Sequence, residues 1–290
     1  EAGAKIVNMS LGGPQATQTE RDQTDALAKK GILLLAAAGN DGKEIESYPA
    51  DFEGVMSVAA THSDKDWADF STFNQFVEIS APGQATLSTL PRGTGKMVNL
   101  TVDGRSIETA IPQQRLLQDR NSQQGYKVNT QLNSGSFEGL LKMCTTASCT
   151  DLSGSVCLIE RTEAKNDAAD VKRCMDAGAN AAIVYGTEQK GYLNDTIVLE
   201  ESSQINIPHA SVDRATGLQL VKAVNKTVNM TIDNKADYGW MSGTSMATPT
   251  VTGVAALVWS YHANCAAGEI RDALRKTAVD INSEGVDKKT

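Results

Sequence analysis

The chain has 290 residues, of which 40% are hydrophobic and 21% are charged, and its formal net charge is −8 at pH 7. This is the composition of a globular chain with room for one large or two modest domains. The acidic balance argues against a nucleic-acid partner, which needs a basic face. No apolar run approaches the roughly 20 residues that a helix needs to cross a bilayer, so we expect no membrane partner.

The first part of the chain alternates strand-like and helix-like segments. Strands are predicted at residues 5–11, 32–38, 55–60 and 76–80, and a helix at residues 18–30. A strand, a helix and a second, wholly apolar strand in succession indicate a parallel sheet, in which ligands bind beyond the carboxyl ends of the strands. Because a buried-looking strand begins almost at Glu1, we expect the natural N-terminus and any targeting segment to lie upstream.

The character of the sequence changes at about residue 94 and changes back at about residue 234. Residues 94–233 contain short β-like runs and one helical stretch, NDAADVKRCMDAGA, whereas residues 234–290 contain the apolar helix VTGVAALVWSYH and an amphipathic helix. The sequence therefore predicts an α/β domain in two parts, 1–93 and 234–290. We expect its parallel sheet to carry helices on both faces and to be interrupted by a mainly β insert.

Four of the five cysteines lie close together in the predicted insert, and the fifth, Cys265, lies far from them. Such a cluster favours two local disulfides in a secreted protein. A zinc site is the alternative, although the spacings lack the tight Cys-x2-Cys pairs of zinc ribbons. Cys265 either pairs with a part of the protein outside this sequence or stays a buried thiol. The clustered cysteines are Cys144, Cys149, Cys157 and Cys174.

Ser245 lies in the segment GTSMATP, directly before the apolar helix. One interpretation is structural, because Ser and Thr are good helix N-caps. The other is chemical, because backbone N–H groups at a helix N-terminus can stabilise an oxyanion beside a nucleophilic serine. The nucleophile elbow of α/β-hydrolases is excluded, since it needs Gly-x-Ser-x-Gly and Ala247 replaces its second glycine.

Five segments carry a resemblance to a known family. IVNMSLGGP, LLLAAAGNDG, YPADFEGVMSVAA, FVEISAPG and GTSMATP occur in the order and approximate spacing of the subtilisin-like serine proteases. The insert resembles a protease-associated domain through GSVCLIERTEA, KRCMDAGANAAIVYG and INIPHASVDRATGLQL. The resemblance implies a secreted endopeptidase that hydrolyses peptide bonds through an acyl-enzyme.

The resemblance also assigns the catalytic residues. It implies that Ser245 is the nucleophile, and that the oxyanion hole is formed by the Asn40 side chain and the Ser245 backbone N–H. The alternative for Asn40 is a simple Asn-Asp-Gly turn after a strand. We expect no cofactor and no assignable metal site: subtilases often bind calcium, but no acidic loop here has convincing ligand spacing.

The same resemblance implies how a protein or peptide substrate is bound. One segment would add the substrate as a strand through main-chain hydrogen bonds, and a second set of small residues would line the pocket for the side chain before the scissile bond. Such a pocket favours large apolar side chains. The first segment consists of Ser10, Leu11, Gly12 and Gly13, and the pocket residues are Ala37, Ala38, Gly39 and Ser47.

The histidine base and its aspartate are expected upstream of this sequence, because in subtilases both precede the Ser-Leu-Gly-Gly segment. None of the three histidines, His62, His209 and His262, is expected to replace that base. We therefore predict that the chain alone is inactive or nearly so, and that the missing N-terminal part is its partner. The alternative function is an inactive fragment or a binding chain that acts through the insert.

Overall fold

A computed structural model describes residues 3–119, 126–128, 133–163, 166–200 and 204–281. The chain forms two compact units, one made of Glu1–Thr86 with Met241–Thr290 and the other of Leu87–Trp240. The insert predicted at residues 94–233 lies within the second unit, and its limits stay a prediction.

The helices and strands follow one another along the chain in three groups. The first group is β1 (Ile6–Met9), α1 (Gln18–Lys29), β2 (Leu33–Ala37), β3 (Val55–Thr61), β4 (Val77–Pro82) and β5 (Thr86–Thr89). The second group has eleven further strands and two helices among the described residues. It comprises β6 (Gly95–Val102), β7 (Arg105–Ser106), β8 (Ile111–Pro112), β9 (Gln114–Gln118), β10 (Tyr126–Val128), β11 (Gly135–Cys144), β12 (Ser155–Glu160), α2 (Ala168–Asp176), β13 (Ala181–Tyr185), β14 (Thr196–Leu199), β15 (His209–Val212), α3 (Arg214–Val221) and β16 (Thr227–Ala236). The third group is β17 (Tyr238–Met241), α4 (Thr244–Tyr261) and α5 (Ala267–Thr277).

The first unit is built on a parallel sheet in the order β1-β2-β3-β4. Every residue of β2 and of β3 is buried, as the unbroken apolar run of β2 predicts, and in β3 the polar Ser57 and Thr61 are buried as well. Adjacent residues of β2 lie on opposite faces of the sheet. Leu35 packs with α4 and α5, whereas Leu34 packs with Leu27 of α1. The sheet therefore carries helices on both faces, as the sequence predicts.

Local sequence explains where α1 begins and ends. Thr17 caps the first turn by accepting a hydrogen bond from Glu20 N, and the Glu20 carboxylate accepts one from Thr17 N, which completes a capping box. After the helix, Gly31 has a φ of +77°, a left-handed conformation that favours glycine. The chain then turns directly into β2.

The second unit is mainly β. Its larger sheet has the order β7-β6-β16-β11-β12-β13-β15-β8, parallel from β11 to β15 and antiparallel towards both edges. A smaller sheet has the order β10-β9-β14. Adjacent residues of β12 face opposite sides, because Leu158 packs with Leu220 of α3 and Ile159 packs with Val171 of α2.

The clustered cysteines form two disulfides in the second unit. Cys144 pairs with Cys149, and Cys157 pairs with Cys174 of α2. The two local disulfides predicted from the cysteine cluster are therefore present, whereas the zinc alternative would need these sulfurs as free thiolates. Cys265 is a half-buried free thiol.

Candidate active site

The carboxyl ends of β1 and β2 and the first turn of α4 come together at one edge of the parallel sheet. Ser10 follows β1, Asn40 follows β2, and Ser245 is the second residue of α4. Ser245 is more than 200 positions from Ser10 and from Asn40 in sequence, yet α4 packs against both strands. The fold thus brings together the serine and asparagine that were predicted as catalytic residues.

The first turn of α4 presents the serine beside backbone N–H groups. The helix begins after Gly243, which has no side chain to cap it and whose φ is +154°. The N-cap residue is therefore Gly243 and not Thr244 or Ser245, so the interpretation of this segment as a Ser or Thr helix cap does not hold. No hydrogen bond from the Ser245 N–H is formed within the part of the chain that the structure describes, so this donor is available.

Ser10 and Ser245 hold each other through reciprocal hydrogen bonds. Ser10 Oγ donates to the Ser245 carbonyl at 2.8 Å, and Ser245 Oγ donates to the Ser10 carbonyl at 3.3 Å. The Ser245 carbonyl is free to accept because residue 249, whose N–H would bond it in a regular helix, is a proline. Pro249 therefore leaves the Ser245 carbonyl available to Ser10.

The Asn40 side chain is oriented by the residue before the serine. Asn40 Oδ1 accepts hydrogen bonds from Thr244 N at 2.9 Å and Thr244 Oγ1 at 3.0 Å, and Thr244 Oγ1 in turn accepts one from Gly39 N at 3.2 Å. A backbone N–H can only donate, so it fixes which end of the amide is the oxygen. Asn40 Nδ2 is left as an outward-facing donor with no bond to any described residue. This is the direction that an oxyanion donor needs.

The predicted substrate-binding segment lies beside the predicted pocket residues. Gly13 and Tyr48 exchange two backbone hydrogen bonds, at 2.9 and 2.8 Å. A Cβ on Gly12 would lie 3.0 Å from Tyr48 O and 3.1 Å from Ser47 Oγ, so a side chain there would press on the loop. Leu11 is 61% exposed, which leaves this edge open.

The remaining pocket residues are small and tightly enclosed. Ala37 and Ala38 are buried. Gly39 has a φ of +110°, and a Cβ there would lie 2.8 Å from Thr72 Oγ1, so both conformation and space require glycine. Thr72 Oγ1 also accepts a hydrogen bond from Asp41 N. The predicted site residues are thus close to one another, and their roles stay predictions.

A buried carboxyl group lies behind the pocket loop. Asp51 is 5% exposed and accepts hydrogen bonds from Ser47 N and from Asn74 Nδ2. Burial raises the pKa of Asp51 to about 6, because the charged form is poorly solvated, and the two hydrogen bonds only partly offset this. Sequence reasoning missed Asp51 and Asn74. An acidic residue in the otherwise apolar segment YPADF was the one available signal.

Comparisons with known proteins identify the family of this chain. A family model described as Subtilase family matches residues 1–127 and 214–290, and one described as PA domain matches residues 115–220. The crystal structure of the psychrophilic subtilisin-like protease Apa1 from Pseudoalteromonas sp. AS-11 superimposes with a TM-score of 0.91 at 40% identity, covering 99% of this chain and 67% of that one. The chain belongs to the subtilase family. It also contains a protease-associated domain.

Named relatives match part of this subtilase. Subtilisin DY from Bacillus licheniformis is 37% identical over 103 residues, which are 34% of this chain and 38% of that protein. The thermostable alkaline protease of Halalkalibacterium halodurans is 36% identical over 144 residues, which are 46% of this chain and 39% of that protein. The chain thus spans about two fifths of the length of each of these curated relatives.

The three histidines of the subtilase occupy different environments. His262 is exposed at the far end of α4, about 25 Å from Ser245 at 1.5 Å per residue. His62 is buried just after β3. His209 is fully buried in the second unit, where its ring hydrogen-bonds Arg115 and Gln113, and burial holds its pKa well below the ordinary value. Within the described residues, Ser245 Oγ bonds the Ser10 carbonyl and no histidine.

No helix within the described residues is long and apolar enough to cross a membrane.

Proposed function

We propose that this subtilase chain is the nucleophile-bearing part of a secreted serine endopeptidase, and that Ser245 is its nucleophile. The observation that carries the proposal is the pairing of Ser245 with Asn40. The serine stands in the first turn of α4 beside its own unbonded N–H, and the Asn40 amide is turned so that its nitrogen is the free donor. Together these two donors suit a tetrahedral intermediate.

The reaction would proceed by acyl transfer followed by hydrolysis. Ser245 Oγ attacks the carbonyl carbon of the scissile peptide bond and gives its proton to a histidine base, which then protonates the leaving amine. The carbonyl oxygen becomes negative and is stabilised by the Ser245 N–H and Asn40 Nδ2. Water, activated by the same base, then releases the acyl group from Ser245 and restores the serine.

The substrate would be an extended protein or peptide segment. Leu11 and Gly12 are exposed beside the serine, so a peptide can add to this segment by main-chain hydrogen bonds. Its side chain before the scissile bond would enter the space between the 10–13 segment and the loop that holds Ser47. Because the surrounding residues are small, large apolar side chains should be preferred. A peptide library that showed a preference for Asp or Glu there would contradict this pocket.

The base and its aspartate would be supplied by a segment upstream of this chain. The C-terminal half of α4 exposes three apolar side chains, at 46% for Val254, 60% for Leu257 and 80% for Tyr261. They lie at i, i+3 and i+7 and so share one face of the helix. We propose that the upstream segment is the partner of this chain, and that the chain alone has little or no activity.

Secretion is supported by the two disulfides of the second unit, because such bonds persist in oxidising compartments. The protease-associated domain is proposed to control access of large substrates. The second candidate function is an inactive fragment or a binding chain that acts through this domain.

A serine-directed phosphonate separates the candidate functions. The chain alone and the chain extended upstream would each be incubated with the reagent and with a chromogenic peptide, and a Ser245→Ala variant would be the matched control. We expect labelling and hydrolysis in the extended protein and neither in the control. An extended protein that stays unlabelled would support the binding function, and full activity of the chain alone would mean that it contains its own base.

A further inference from the structure

The loop that carries the predicted pocket wall is held from two sides. On its outer side, the backbone of Tyr48 pairs with Gly13. Ser47 Oγ lies 3.1 Å from the Cβ position of Gly12 and 3.5 Å from that of Gly39. Ser47 therefore stands between the substrate-binding segment and the end of β2, and any movement of its backbone changes the space between them.

On the inner side, the loop is held by a carboxyl and an amide that are both buried. Asp51 Oδ2 accepts hydrogen bonds from Ser47 N at 2.7 Å and from Asn74 Nδ2 at 2.9 Å. Asn74 Nδ2 also donates to the Ile45 carbonyl at 2.7 Å, and Asn74 Oδ1 accepts from Phe76 N at 2.8 Å, just before β4. The two side chains thus connect both ends of the 45–47 segment to the sheet.

We propose that Asp51 and Asn74 form a clamp that positions Ser47 and thereby determines which side chains are accepted before the scissile bond. The proposal rests on the proposed function, because it assigns specificity to the same site. Neither residue contacts the reacting atoms, so both are positioning residues. The clamp consists of Asp51 and Asn74 alone.

What the clamp requires is an accepting oxygen at the position of Asp51 Oδ2. Asp51 Oδ1 is buried and has no partner among the described residues. Protonation of Oδ1, or replacement by an amide nitrogen, therefore leaves both hydrogen bonds to the other oxygen in place. An alanine at residue 51 removes this acceptor, so that Ser47 N and Asn74 Nδ2 each lose a hydrogen bond in a buried place. The loop must then move or admit water.

The test uses the protease in its extended form, with its upstream segment. Asp51→Ala, Asp51→Asn and Asn74→Ala would be compared with wild type, and Glu53→Gln, an exposed carboxylate two positions away, would be the matched control. Active sites are counted with a serine-directed phosphonate. The kcat/KM values are then measured for peptides that differ only in having Phe or Ala before the scissile bond.

We expect Asp51→Ala to change the Phe-to-Ala ratio of kcat/KM at least about fivefold, because a pocket that no longer fits a side chain loses discrimination of this order. Asn74→Ala should change the ratio in the same direction. Asp51→Asn should stay within about twofold of wild type, since it keeps the accepting oxygen. Glu53→Gln should not change the ratio. If Asp51 and Asn74 only stabilised the fold, their alanine variants would have fewer phosphonate-labelled active sites. The Phe-to-Ala ratio of kcat/KM for each active site would then equal that of wild type.

Several outcomes overturn the clamp. An unchanged ratio in both alanine variants contradicts it, and if Asp51→Ala does not fold, Asn74→Ala decides alone. An equal loss in Asp51→Asn and Asp51→Ala contradicts the need for the acceptor. If the phosphonate does not label wild type, the proposed function fails and the clamp fails with it. If wild type is active and both alanine variants keep its specificity, only the clamp fails.

Discussion

Lowering the pH from 7 to 5 should raise the free energy of unfolding of the first unit through the buried carboxyl of Asp51. Burial, as the largest cause, raises the folded-state pKa of Asp51 from 3.8 to about 6, and the nearby charge of Glu46 acts in the same direction. Between these two pKa values the folded chain binds more protons than the unfolded chain. Stability therefore increases as the pH falls through the folded-state pKa.

The size of the effect follows from the two pKa values. At pH 7 Asp51 is mostly ionised in both states, and at pH 5 it is mostly protonated only in the folded state. A proton bound only in the folded state stabilises it by about 1.36 kcal/mol for each pH unit below the folded-state pKa. Because pH 5 lies about one unit below that pKa, the gain between pH 7 and pH 5 is about 1 kcal/mol. Asp51 is 5% exposed, so solvent screening reduces this value little.

The assay is urea unfolding at both pH values. A Trp240→Phe background confines the fluorescence to Trp67 and Trp259, which lie in the first unit. Wild type should gain about 1 kcal/mol more than Asp51→Asn on acidification, and Glu53→Gln should behave as wild type. Equal pH dependence in wild type and Asp51→Asn, or a wild type that loses stability relative to that variant, would refute the reasoning.

Four further predictions concern the candidate active site, one ion pair and the protease-associated domain. Asn40→Ala should lower kcat of the extended protease by about 10²–10³, a magnitude established for this donor in subtilisin itself, with little change in KM. Ser10→Ala removes the hydrogen bond to the Ser245 carbonyl and should lower kcat/KM about fivefold, the equivalent of one net hydrogen bond. Arg271→Met removes the closer of two arginines that pair with Glu78, which is 13% exposed and keeps Arg275 at 3.7 Å, and should cost about 1–3 kcal/mol in urea unfolding. Deletion of residues 94–233 should leave kcat/KM for short peptides unchanged while altering the cleavage pattern of large proteins.

Each of these predictions has a contradicting result. An Asn40→Ala enzyme with wild-type kcat would remove the oxyanion role. A Ser10→Ala enzyme whose kcat/KM equals that of wild type would mean that the reciprocal contact is dispensable. Unfolding of Arg271→Met at the wild-type urea concentration would show that solvent replaces the pair. A folded deletion variant that no longer hydrolyses short peptides would place the protease-associated domain in the catalytic machinery.

Local sequence was sufficient to predict the elements of the parallel sheet. The apolar run at β2 has no polar face, and only a strand covered on both sides can bury it entirely. Local sequence also determined the ends of α1. Thr17 and Glu20 form a capping box at its start, and Gly31 adopts a left-handed conformation just after its end. The cysteine cluster likewise indicated local disulfides, but it left their pairing open, because four cysteines allow three connectivities.

The direction of the Asn40 amide and the clamp at Asp51 depended on tertiary structure alone. Asn40 is fixed by Thr244, 204 positions away, and Asp51 by Asn74, 23 positions away. Spacing along the chain carries no information about such contacts, because they arise only when β2, β4 and α4 pack around one edge of the sheet. A pattern of residue types can name a serine and an asparagine. Only packing decides which polar atoms remain unpaired, which carboxyl is removed from water, and which donors therefore face a substrate.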